Sequence, residues 1–171
     1  MARALQATTT VNCACGQVAV EAIGTPITSV ICYCDDCQEA ARQIRSLPNA
    51  AAIQEPDGGT AYVVYRKDRV TCLKGASLLS PHKIRDKSAT NRVFATCCNS
   101  ALFMNFDDSK HWVDIYRSRC RGAVPPVQMR ICTRFRAAGC TIPADVPGYS
   151  RYPMSLLMKL ILAKVAMLIQ R

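Results

Sequence analysis

Apolar and polar residues alternate in QVAVEAIG, where Val18, Val20 and Ile23 stand among polar neighbours. That two-residue period predicts a half-buried strand, ended by Gly24 and Pro26. TAYVVYRKDRVTCLKG reads as two further β-rich runs, with RKD as a hairpin turn and Gly75 as the stop. NRVFATCC and ALFMNF flank one more turn. DDCQEAARQIR has a different character: it is rich in helix formers, Asp35 or Asp36 can cap it, and Pro48 limits it. Such a helix carries Cys37 in its first turn, where the positive end of the backbone dipole favours a thiolate.

PNAAAIQEPDGG reads as a loop, and the prolines at 125, 126, 143 and 147 predict an irregular connection from Cys120 to Tyr152, with one strand within VQMRICTRF. The tail, PMSLLMKLILAKVAMLIQR, is almost wholly apolar after Pro153, a residue suited to a first helical turn. Lys159 and Lys164 interrupt it, and a lysine near the centre of a spanning helix costs roughly 2.5 to 3.5 kcal/mol. The run is also at the short end for crossing a bilayer, so no membrane span is expected. The two lysines fall roughly 140° apart on a helical wheel and make no single polar face. Docking onto the domain or onto another subunit, as in a homo-oligomer, is the leading reading; a membrane-surface helix is second. The expected organisation is one mainly β domain over residues 1–150 and an apolar helix over 151–171.

The 171 residues fit one domain with a core of its own, so cysteines are not needed merely to hold it together. There are nevertheless eleven, an odd number that cannot all pair, and MARALQATTTVNC lacks the apolar stretch of a secretory signal. A reducing cytoplasm is the expected location, where clustered thiols bind metal or do chemistry more often than they form disulfides. The formal charge of +10 falls to about +7 if seven thiolates hold two Zn²⁺. Such a surface suits an anionic small molecule, nucleic acid or an acidic membrane, and nothing beyond charge indicates nucleic acid.

The cysteines cluster in three places: Cys13 with Cys15, Cys32 with Cys34 and Cys37, and Cys97 with Cys98. A C-x-x-C turn, as at Cys34 and Cys37, aims two sulfurs at one Zn²⁺, about 2.3 Å from each. Cys13 and Cys15, one apart on a strand, face the same way, but a closed structural zinc needs four ligands, and the CC turn is the natural donor of the rest. The triplet at 32, 34 and 37 then supplies three ligands to a second ion, leaving a position open for chemistry. A redox pair at Cys34 and Cys37 and simple burial are the competing readings. Cys72, Cys120, Cys132 and Cys140 are assigned to packing, and His82 and His111 to surface or hydrogen-bonding roles. No nucleophile elbow or phosphate loop is present.

Taken together, CACGQVAVEA, CYCDDCQ and RVFATCCNSALF resemble, over about residues 11 to 116, the glutathione-dependent formaldehyde-activating family, which includes the centromere protein V group. The resemblance implies a mainly β, Mss4-like zinc fold with a short helix after the middle cluster. It also implies a structural zinc shared by the first and last clusters and a second, labile zinc at the middle one. The implied activity is addition of glutathione, or a similar anionic thiol, to formaldehyde, a carbon–sulfur lyase reaction. By position, Cys13, Cys15 and Cys98 match structural ligands and Cys32, Cys34 and Cys37 the middle, catalytic site. Three residues depart from the pattern: Ala95 replaces a cysteine, Tyr33 a histidine and Asn99 a glycine. Cys97 either supplies the missing structural sulfur or closes the middle site. The alternative to an enzyme is a non-catalytic zinc module that binds a partner or membrane surface through the C-terminal helix.

Overall fold

The computed structural model describes residues 7–122 and 124–170. Eleven strands form two sheets. The smaller has the order β10–β1–β2–β5, with β1 at Thr8–Asn12, β2 at Ala19–Ile23, β5 at Val70–Lys74 and β10 at Cys120–Gly122. The larger has the order β11–β3–β4–β9–β8–β7–β6. Its strands are β3 (Thr28–Cys32), β4 (Thr60–Arg66), β6 (Leu79–His82), β7 (Thr90–Ala95), β8 (Ser100–Phe106), β9 (Trp112–Tyr116) and β11 (Met129–Ile131). Two α-helices complete the described residues, α1 at Asp35–Arg45 and α2 at Met154–Ile169. The fold is thus mainly β, as the patterning predicts.

The alternation at Val18, Val20 and Ile23 becomes β2, half-buried in the small sheet, and NRVFA with SALFMNF becomes the β7–β8 hairpin. The expected hairpin at RKD does not form. β4 pairs with β3 and β9 in the large sheet, whereas β5 pairs with β2 in the small one, and Lys67–Arg69 is a 3₁₀ turn that carries the chain between sheets. The physical reason lies in the strands themselves. Six of the seven β4 residues are buried and belong inside a sheet, while β5 is largely exposed and sits at an edge.

The helix after the middle cluster is present, but neither Asp35 nor Asp36 caps it. Cys34 occupies the cap position without a side-chain hydrogen bond, and the two aspartates sit in the first turn, where they still favour the helix dipole. Between Cys120 and Tyr152 the connection is irregular apart from β10, which closes the small sheet on β1, and β11, which runs parallel to β3. Arg130 on β11 pins this region. Its buried guanidinium pairs with Asp57 at 2.5 Å and Asp145 at 3.0 Å and also donates to the Tyr33 hydroxyl. Tyr33 packs over Gly59, where an added Cβ would fall 2.8 Å from its ring and 2.3 Å from Ile31. The site therefore admits only glycine without displacement of the β3 end that leads into the cysteine triplet.

α2 buries Leu156 and Met167 against the large sheet and is held at mid-length by His111, whose Nε2 donates to the Leu160 carbonyl at 2.8 Å. Its other face is apolar and exposed, with Ile161, Leu162, Leu168 and Ile169 all more than half accessible. No helix among the described residues is long and apolar enough to cross a membrane.

Candidate metal centres and the adjoining cavity

The sulfurs of Cys13, Cys15, Cys97 and Cys98 all lie within 4.8 Å of one another. Cys15 and Cys97 are 3.3 Å apart, Cys13 and Cys15 3.5 Å, and Cys13 and Cys97 3.9 Å. A tetrahedral zinc with bonds of about 2.3 Å spaces its sulfurs at about 3.8 Å, so these four fit a closed site with small adjustments. The first pair does not share a face by strand alternation, as its spacing suggests. β1 has ended at Asn12, and a turn closed by the Gly16 N–H to the Cys13 carbonyl swings both thiols to one side.

The second pair meets them from the β7–β8 turn. Adjacent cysteines converge there because Asn99 takes a left-handed conformation (φ 51°), which folds the chain back sharply. That explains the departure from the glycine of the family pattern: asparagine is among the few residues that tolerate this region, and its Nδ2 donates to the Pro48 carbonyl at 2.8 Å. Cys97 consequently stands with the outer pair and not with the middle triplet.

Local hydrogen bonds suit thiolates here. The Val18 N–H donates to the Cys13 sulfur at 3.2 Å. Burial would raise the Cys98 thiol, but the Ser100 hydroxyl at 3.1 Å and backbone N–H groups outweigh it and bring Cys98 down to about 6. The donor set, four sulfurs with N–H and O–H support, is the chemistry of a structural zinc site.

The triplet is built by the β3–α1 junction. Cys32 ends β3, Cys34 is the helix cap and Cys37 lies in the first turn, and their sulfurs also fall within 4.8 Å of one another. Strand alternation turns Tyr33 to the opposite side, where its hydroxyl donates to Asp57 at 2.9 Å, so the residue in the family's histidine position plays no part in the sulfur group. Hydrogen bonds from Cys32 and Cys37, with Arg92 nearby, hold Cys34 far below the ordinary thiol range. Cys37 goes the other way. Although Cys32 opposes it, the contact with Cys34 and full burial push the Cys37 thiol up, so the expected thiolate in the first helical turn belongs to Cys34 at the cap instead.

These three cysteines form part of the wall of a cavity of about 380 Å³ between the large sheet and α2. Three other wall residues went unmarked in the sequence. Arg92, on β7, is 2% exposed; its Nη2 donates to the Asp36 carbonyl at 3.0 Å, while Nε and Nη1 have no partner. Asp114, on β9, has its carboxyl raised to about 7 by burial against the apolar wall. Tyr62, on β4, brings its hydroxyl to 3.5 Å from the Cys37 sulfur. None carries a sequence signal, because each is a single polar residue in an otherwise strand-like run. Cys132, assigned to packing, is buried just past β11 with a left-handed backbone and hydrogen-bonds Cys32. His82 bonds Gln43 and His111 bonds the α2 backbone, so both serve structure.

Asp114 gives a pH signature. Its folded pKa lies above the unfolded value, so the unfolded chain releases this proton first, and stability falls as pH rises from about 4 to 7. Asp114→Asn is expected to remove that loss, at most about 4 kcal/mol. Guanidinium midpoints of both proteins at pH 4.5 and 7.5 check it: the gap between them should widen at the higher pH.

A mainly β chain with one four-sulfur group, and one three-sulfur group beside a cavity, defines a class of cysteine-rich candidate metalloproteins. Residues 8–120 match the model of the glutathione-dependent formaldehyde-activating enzymes, and the chain belongs to that family. A crystal structure of a Rhodobacter sphaeroides protein is similar at 14% identity and a TM-score of 0.47, covering 68% of this chain and 91% of that one. No curated protein matches the chain. The matched span ends before α2, so the helical side of the cavity comes from outside it.

Proposed function

We propose that the protein binds zinc at both cysteine groups and condenses glutathione, or a similar anionic thiol, with formaldehyde or a related small aldehyde. Cys13, Cys15, Cys97 and Cys98 hold a structural ion, and Cys32, Cys34 and Cys37 a labile one. The observation that carries this reading is the opening of the three-sulfur group onto the adjoining cavity, which supports an accessible fourth position. The reaction is an addition: the thiol loses its proton, a sulfur–carbon bond forms as the carbonyl π bond opens onto oxygen, and that oxygen takes up a proton. Zinc, when bound, supplies Lewis acidity that favours the thiolate at neutral pH.

The chain's own residues do the rest. The cavity walls hold the two reactants side by side. Asp114, still partly protonated near pH 7, lines the same space and is placed to give a proton to the developing alkoxide. The free thiols of both groups suit a reducing cytoplasm.

The test is two-dimensional exchange NMR of formaldehyde with glutathione, and separately with 3-mercaptopropionate, in the presence of zinc-loaded protein. Exchange faster than in buffer is expected. Background rates with both thiols, from a protein that retains both zincs, overturn the enzyme reading. They would favour the second one, a non-catalytic zinc module that binds a partner, another copy or a membrane surface through the exposed apolar face of α2.

A further inference from the structure

Arg92 raises a question that the addition reaction alone does not answer. A guanidinium buried to 2% exposure with two nitrogens unpaired is costly, because each unsatisfied donor forfeits its hydration. No carboxylate among the described residues pairs with it. Asp36 offers only its backbone carbonyl, and its carboxylate is engaged by Arg85 at 2.8 Å. Lys110, the other cation on the cavity wall, is satisfied by Asp108 and stacks over Phe106. Arg92, whose charge also favours the Cys34 thiolate, is therefore the cavity's one cation without a carboxylate partner among the described residues.

Apart from Asp114 and a few hydroxyl groups, most of the remaining wall is apolar. Val64, Met104, Phe106 and Trp112 from the sheet face Leu156 and Leu160 from α2. Glutathione carries two carboxylates, an ammonium and two amides, and burying these against such a surface would leave most of them unpaired. The unpaired Nε and Nη1 of Arg92 lie on different sides of the guanidinium, so a single carboxylate oxygen held by a charge-assisted hydrogen bond is enough to fill one of them.

We infer that Arg92 is an anion-binding residue of the cavity, and that the thiol taken beside Cys32, Cys34 and Cys37 is a monocarboxylate with an apolar body, selected by α2 over glutathione. This rests on the zinc–thiol reading above and names its substrate class. Arg92 binds the carboxylate, the sheet and α2 enclose the aliphatic chain, and the sulfur end reaches the cysteine triplet. The helical side, lying outside the family-matched span, is what sets this chain's choice apart.

Calorimetric titration of the zinc-loaded protein with 6-mercaptohexanoate, 6-mercaptohexanol, hexanoate and glutathione tests it. The mercapto acid is expected to bind about ten-fold more tightly than the mercapto alcohol, and more tightly than glutathione. Arg92→Gln should bring the acid down to the level of the alcohol and leave the alcohol unchanged. Equal binding of acid and alcohol by the unaltered protein overturns the inference, and would mean that Arg92 only balances the thiolates. It would leave the zinc–thiol reading standing. Hexanoate binding as tightly as the mercapto acid would instead sink the zinc–thiol reading and keep the Arg92 site. Glutathione binding more tightly than the mercapto acid overturns the selection by α2.

Discussion

Cys13→Ser is expected to unfold much of the protein. Cys13 stands at the end of β1 in the small sheet, and its sulfur meets Cys97 and Cys98, which belong to the β7–β8 turn of the large sheet. A zinc at this point would tie together segments 84 residues apart, and the free energy of a structural zinc, about 10 to 16 kcal/mol in zinc-finger peptides, would appear as folding stability. Domains are stable by only about 5 to 15 kcal/mol in total, so the loss of one of four ligands removes a large share. The serine also leaves the Val18 N–H without its sulfur acceptor in a buried position. A fall in melting temperature of at least about 10 °C, together with loss of one zinc per chain, is the expected result. A variant that melts within about 2 °C of the parent and keeps its zinc would show that these sulfurs do not hold the sheets together.

What could be read from the sequence was whatever repeats within a few residues. The β2 alternation, the α1 composition and the three cysteine groups are all local, and each maps to a local feature: a half-buried strand, a helix of eleven residues, and sulfurs presented from tight turns. The pairing of TAYVVYR with VTCLK was misread for the same reason. Short separation favours a hairpin, but the burial of nearly the whole of β4 outweighs it and sends the two strands to different sheets. β3 and β9 carry no distinctive local pattern, and only the assembled sheet defines them as neighbours of β4.

The cavity was illegible because no segment encodes it. It arises where β3, β4, β7, β8 and β9 face a helix from the far end of the chain, and its key polar residues come singly from separate strands. Arg92 sits in TNRVFA and Asp114 in WVDIY. On an exposed strand both would be ordinary solvated side chains; burial leaves one with unpaired nitrogens and the other with a raised pKa. The thiolate was placed one turn away from where it falls, since dipole reasoning treats the cysteine in isolation whereas the three thiols share hydrogen bonds that favour charge at Cys34.

Cys34→Ser is expected to do the reverse of Cys13→Ser. Cys34 is half-buried at the junction of β3 and α1, makes no side-chain cap bond, and tethers no second sheet: its two sulfur neighbours lie two and three positions away in the same segment. Serine is close in size and is itself a favoured residue at a helix cap, which offsets part of any packing loss. The fold should therefore persist, with a melting temperature within about 3 °C of the parent. The middle ion should not, because the two remaining thiols, Cys32 and Cys37, do not make a site. Zinc content should fall from two per chain to one, and any acceleration of thiol–formaldehyde exchange should vanish with it. If the variant keeps two zincs, or collapses as Cys13→Ser does, the division of the seven cysteines into a structural and a chemical group is wrong.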